Sequence, residues 1–175
     1  MEDINPMVGR SRQDSWTVME RAVNNGESWE SLIKEWAERD IYSRIDYRKI
    51  FRPEMKTTVQ ELKRRGYTVA LVSSTGPKLI SRIVEEVGMR PEFDLIVSGK
   101  QFKQSKPNPE IYHYTANILG IREDECFVVE DSTVGIEAAY RAGMCIAGLK
   151  DDRFGFDQRK ADYHIDSISD ILKYL

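Results

Sequence analysis

Four short apolar runs, each separated from the next by a segment of helical periodicity, constrain this chain more than any other feature. They lie at 68–73, 94–98, 126–130 and 144–149, and a fifth, shorter run falls near 163–165. The first four are apolar nearly throughout rather than alternating, as strands buried on both faces must be. Helical segments fill the intervals at 77–87, 109–119 and 133–142. One more precedes the first run, around Val59 and Leu62, and another follows Ser167. Four of these helical segments stop at a glycine (Gly66, Gly88, Gly120 and Gly143), the residue best suited to the left-handed C′ position. Strand–helix alternation of this kind predicts an α/β fold: a parallel sheet covered by helices on both faces.

The first 52 residues have a different texture. Asp14 or Ser15 can cap a helix that turns Trp16, Val18, Met19 and Val23 inward, and Asn24-Asn25-Gly26 ends it. Trp29, Leu32, Ile33 and Trp36 recur at helical spacing in a second helix running toward Ile41 and Ile45. No strand is expected here, and Pro53 marks the boundary. Two units follow: a small helical part at 1–52 and an α/β core at 53–175.

Composition removes several functions. With 175 residues, 41% hydrophobic and 31% charged, the chain is globular, not disordered or fibrous. Its 26 basic and 29 acidic residues are mixed along the chain, so no basic stripe supports nucleic-acid binding. No apolar run is long enough to span a membrane, and the N-terminus does not read as a signal peptide, so a cytoplasmic location is expected. Cys126 and Cys145, both placed in strand interiors, read as buried free thiols, neither disulfide-bonded nor nucleophilic. His113 and His164 are isolated, with no zinc-ligand spacing. No Gly-rich nucleotide-binding fingerprint is present.

In an open parallel sheet, ligands bind at the carboxyl ends of the strands. Ser73, Ser74 and Thr75 follow the first run. Glu130, Asp131 and Ser132 follow the third, at the mouth of a helix. Adjacent carboxylates repel each other unless a cation lies beside them. Lys106 stands between these groups in sequence, in the loop Ser105-Lys106-Pro107-Asn108-Pro109-Glu110. A hydroxyl, an ammonium and a carboxylate pair at one sheet edge suit a phosphoryl group held beside Mg²⁺.

These segments resemble motifs of the haloacid dehalogenase superfamily, specifically its β-phosphoglucomutase-like phosphatases with a helical cap. Residues 69–74 are similar to the second motif, residues 105–112 to the third and residues 128–139 to the fourth. The resemblance implies a Rossmann-like core with a partial α-helical cap. It assigns Ser73 to the transferring phosphoryl group, Lys106 to neutralising phosphate and nucleophile, and Glu130 and Asp131 to Mg²⁺. Ser74, Thr75 and Lys78 are implied as substrate contacts. The segment 9–16 is similar to part of the cap, where Arg12 would contact the substrate's non-reacting phosphate.

One family element is missing. The superfamily reaction uses an Asp-x-Asp pair at the end of a first strand, one Asp as nucleophile and the other as general acid/base. The thirteen aspartates here include no such pair, and no apolar run precedes position 14 to carry one. The family order would need roughly thirty residues ahead of Gly9 for that strand and the first cap helix. The missing strand is central in the family, between the Ser73 and Glu130 strands. Its loss leaves a gap of about 9.6 Å, twice the interstrand spacing, with two unpaired edges.

The expected function is Mg²⁺-dependent hydrolysis of a small phosphorylated metabolite, such as a sugar phosphate, in a product longer than these residues. The 175 residues alone would be inactive and would bind Mg²⁺ weakly. A non-catalytic module binding a phosphorylated ligand or a protein is the alternative, distinguished by absence of turnover. A phosphomutase is a third reading, disfavoured because Gly76-Pro77 stand where the mutase-like pattern has Lys-Asn. Exposed sheet edges would favour self-association.

Overall fold

The computed structural model describes residues 12–23, 26, 28, 30–31, 33–34 and 41–175. Five strands and five α-helices have described bounds, and Glu30, Ser31, Ile33 and Lys34 are helical as well. The helices are α1 (Arg12–Val23), α2 (Glu54–Arg64), α3 (Pro77–Glu86), α4 (Glu110–Leu119) and α5 (Thr133–Arg141). The strands are β1 (Ala70–Ser73), β2 (Leu95–Ser98), β3 (Phe127–Glu130), β4 (Cys145–Leu149) and β5 (Tyr163–Ile165). All pairings are parallel, as continuous apolar runs require. The expected C-terminal helix is a 3₁₀ segment, Ile168–Lys173. Ser167 and Asp170 form a reciprocal capping box there, and the segment stays short, as 3₁₀ turns do.

The sheet is in two pieces. β1 pairs with β2, in the register Ala70–Leu95 to Ser73–Ser98. Separately, β3 pairs with β4 and β4 with β5. No strand among the described residues joins β1 to β3. The break falls between the Ser73 and Glu130 strands, where a central strand is expected to be missing. Every residue of β1 and β3 is only half-buried, whereas Ile146, Ala147 and Gly148 of β4 are buried.

Helices hold the two pieces in place. On one face, α2 sends Val59 into a cluster with Ile80, Val84, Met89 and Phe93, and Leu62 into one with Ala147, Ile165 and Ile171. One helix thus packs against both half-sheets. On the other face, α4 and α5 share a cluster containing Val97 of β2 and Ile146 of β4. Burying such side chains stabilises by about 1.5–3 kcal/mol each, so the clamps resist closure of the gap.

Aspartates fix the strand starts. The Asp94 carboxylate accepts a hydrogen bond from the Val69 amide (2.9 Å) and an ion pair from Lys63 (2.7 Å), while its own amide donates to the Val69 carbonyl. Asp162 repeats the device, its carboxylate accepting from the Ile146 amide at 2.8 Å.

In the N-terminal region, α1 begins at Arg12, two or three residues before the expected cap, and buries Trp16. Trp29, Leu32 and Trp36 lie outside the described residues. Segment 41–50 docks on α3: the Arg82 guanidinium donates to the carbonyls of Tyr42 and Ser43, and the Glu86 carboxylate accepts the Tyr47 amide. The cysteines are free as expected but half-buried, and Cys126 lies just before β3. Partial burial raises both thiols, which favours their protonated form.

Candidate active site

The loops after β1, β2 and β3 bring the expected residues to one mouth. Lys106, on the loop between β2 and α4, is buried, with its side chain only 5% exposed. Its ammonium donates to the Tyr112 hydroxyl at 3.1 Å and forms a short ion pair with the Glu130 carboxylate. The Tyr112 hydroxyl donates in turn to the same Glu130 oxygen at 2.9 Å. Ser132 donates to the other oxygen at 3.2 Å, and its hydroxyl accepts the Gly135 amide as the N-cap of α5. The cation expected beside the carboxylate pair is therefore, at Glu130, a buried lysine.

Charge and burial oppose each other at Glu130. Burial is the largest influence and pushes its carboxyl upward. The Lys106 charge, with hydrogen bonds from Lys106, Tyr112 and Ser132, outweighs it and holds the group below the ordinary range. Tyr112 is raised well above its usual value by burial and by the adjacent Glu130 charge. Asp131 is exposed at the mouth, yet desolvation on its protein side and the neighbouring Glu130 charge raise its carboxyl. Lys106 partly offsets that repulsion without contacting Asp131.

Gly135 lets this arrangement exist. A Cβ there would overlap the Glu130 carboxylate itself. Glycine in a helix costs about 1 kcal/mol relative to alanine, and here it gives the carboxylate its seat at the start of α5. That cost was the available sequence signal, since a helical glycine away from the C-terminus needs a close-approach reason.

Across the mouth, the Ser73 hydroxyl accepts the Thr75 amide at 3.2 Å, which leaves its proton directed elsewhere. The Thr75 carbonyl accepts the buried Ser98 hydroxyl at 2.7 Å, fixing the β1 loop against the end of β2. Ser73, Ser74, Thr75, Lys78, Lys106, Glu130 and Asp131 all line one cavity of about 1640 Å³. Lys78 is exposed near the start of α3. Arg12 lies in α1, and its side chain falls outside the described residues, whereas Trp16 and Met19 of that helix border the same cavity. Tyr112, Ser132, Gly135 and Ser98 were not assigned site roles from the sequence.

Comparison with known proteins places the chain in a family. The model of the haloacid dehalogenase-like hydrolases matches residues 1–149. A phosphoglycolate phosphatase of Aquifex aeolicus (strain VF5) is 28% identical over 146 residues, covering 83% of this chain and 68% of the relative. A phosphoglycolate phosphatase of Vibrio parahaemolyticus is 30% identical over 127 residues, covering 69% of the chain and 54% of the relative. The chain thus spans between half and about two-thirds of these relatives. The β-phosphoglucomutase structure from Clostridium difficile superposes with a TM-score of 0.77 at 22% identity, over 95% of this chain and 75% of that one. The structure of CbbY from Rhodobacter sphaeroides in complex with phosphate gives 0.64 at 26% identity, over 69% and 55%. On the match that runs from residue 1 to residue 149, this chain belongs to the haloacid dehalogenase-like hydrolases.

Proposed function

We propose that these residues form the phosphoryl- and metal-binding part of a Mg²⁺-dependent phosphatase acting on a small phosphorylated metabolite. The supporting observation is the buried Lys106, held by Glu130 and Tyr112 opposite the Ser73 hydroxyl. Lys106 and Ser73 converge on a phosphoryl oxygen as donors, and Ser74, Thr75 and Lys78 border the remainder of the substrate. Arg12, from the cap unit at 1–52, contacts a second anionic group of the substrate.

The donor chemistry at the mouth fits Mg²⁺. Asp131 and Glu130 offer hard oxygens, and no group of three carboxylates, histidines or cysteines able to hold a metal occurs among the described residues. Mg²⁺ is commonly held by one or two carboxylates, with waters and substrate phosphate completing its shell. Asp131 is the principal ligand, because Glu130 is already engaged by Lys106, and binding is correspondingly weak. Bound there, the ion would neutralise phosphoryl charge.

No Asp-x-Asp pair occurs in the 175 residues to supply nucleophile and acid/base. They therefore bind phosphate without turnover. A phosphatase is favoured over a mutase by Gly76-Pro77 at the loop after β1. Phosphate release from sugar phosphates and phosphoglycolate, together with calorimetric binding of inorganic phosphate with and without Mg²⁺, tests this reading. Binding that Mg²⁺ strengthens and that Ser73→Ala and Lys106→Ala each weaken at least tenfold, with no turnover, is expected. Phosphate affinity unchanged in both variants would overturn it.

A further inference from the structure

A side chain on the connection between β4 and β5 reaches the mouth from a part of the chain not yet given a role there. The Gln158 carboxamide donates to the Asp131 carbonyl at 2.9 Å and to the Leu149 carbonyl at 2.8 Å. Glu130 and Gly148 are the last opposed pair of β3 and β4, so Asp131 and Leu149 are the next residue on each side. Both partners are acceptors, which requires the carboxamide nitrogen, not its oxygen, to face them. Gln158 thus ties the two chains together one step past the final rung of the ladder.

The surrounding contacts fix where Gln158 stands. The Asp157 amide donates to the Thr133 hydroxyl at 2.8 Å, and the Gln158 carbonyl accepts the Ala161 amide at 2.9 Å. Lys160 pairs with Glu137 of α5 at 2.6 Å. Gly148 supplies the room. A Cβ there would stand 2.9 Å from the Gln158 carboxamide oxygen and 3.1 Å from the Ala161 methyl. Glycine within a strand weakens it and marks a close approach. Gly135 therefore seats the Glu130 carboxylate and Gly148 the Gln158 carboxamide, on either side of Asp131 in the chain.

We infer that Gln158 is a positioning residue for Asp131: by holding the peptide that follows Asp131, it sets the direction in which that exposed carboxylate is presented to a divalent cation. The role rests on the reading of Asp131 as the principal Mg²⁺ ligand. A partner that orients a metal ligand raises affinity without touching the metal, and its loss costs about tenfold. Ser73 and Lys106, on other loops, do not depend on it.

Mg²⁺ titrated into the 175-residue protein and followed through the 131–133 amide shifts tests this role. Two variants are compared with the parent. Gln158→Met keeps the side-chain length without its donors, and Gly148→Ala displaces the carboxamide while leaving it in the chain. Each is expected to weaken Mg²⁺ binding about tenfold, with the affinity for inorganic phosphate alone unchanged. The Ser132 amide, which shares a peptide with the Asp131 carbonyl, should shift before any metal is added. A lower urea midpoint with unchanged Mg²⁺ affinity, in whichever variant folds, would overturn the role by showing Gln158 to be a structural fastener. An equal loss of metal-free phosphate affinity would overturn it by showing a general distortion of the mouth. A parent without saturable Mg²⁺ shifts would instead overturn the metal reading itself, and this role with it.

Discussion

Replacing Gly135 by alanine probes the site at its tightest point. The new methyl would occupy the place of the Glu130 carboxylate, so that group must swing away from Lys106, Tyr112 and Ser132. Lys106, 5% exposed, is then buried without its counter-charge. Breaking a buried pair in this way costs about 3–5 kcal/mol, and alanine's better helix propensity returns about 1 kcal/mol. The net expected loss is about 2–4 kcal/mol, read as a lower midpoint at unchanged slope in urea unfolding. The double-mutant cycle isolates the cause. In a Glu130→Ala background no carboxylate remains to be displaced, so Gly135→Ala becomes neutral or stabilising by up to about 1 kcal/mol. A Gly135→Ala protein as stable as the parent, or one equally destabilised in both backgrounds, would refute the reasoning.

Tyr112→Phe removes one hydrogen bond to Glu130 and the acceptor for a Lys106 proton, and should cost about 1–3 kcal/mol in the same unfolding assay. Ser98→Ala frees the Thr75 carbonyl from its tether and should cost about 1 kcal/mol, with faster exchange of the 74–76 amides. The Asp94 carboxyl sits below its ordinary 3.8, first because of Lys63 and then the Val69 amide, so its stabilisation is present above 3.8 and lost as pH falls through the lower folded value. Asp94→Asn should therefore flatten the acid limb of the stability–pH curve below about pH 4, and an unchanged limb would contradict the assignment. Lys78→Ala, at an exposed position, should leave stability within about 0.5 kcal/mol of the parent while weakening binding of a phosphorylated sugar.

Much of the core was legible because buried parallel strands leave continuous apolar runs that no other element needs. Val69-Ala70-Leu71-Val72 and Phe127-Val128-Val129 mark β1 and β3, and the family resemblance places a further strand between them, where the sheet of the described residues is split. The site was legible as a set of strand ends, but its wiring was not. Lys106 sits among Ser105, Pro107 and Asn108, a polar context that gives no sign of burial; tertiary packing around Tyr112 and Glu130 creates it. Tyr112 reads as a core residue of an amphipathic helix, which it is, and only the fold shows its hydroxyl reaching the site. The C-terminal segment is 3₁₀ where an α-helix is expected, because apolar spacing over so few residues does not distinguish the two.

Titration of inorganic phosphate in the presence of Mg²⁺, followed by backbone amide chemical shifts of the 175-residue protein, tests the central claim most directly. Saturable shifts concentrated at 73–75 and 130–132, abolished by Ser73→Ala in a variant whose β4 and β5 resonances are unmoved, are the predicted result. Shifts absent at both loops, or spread over the surface without saturation, would contradict it.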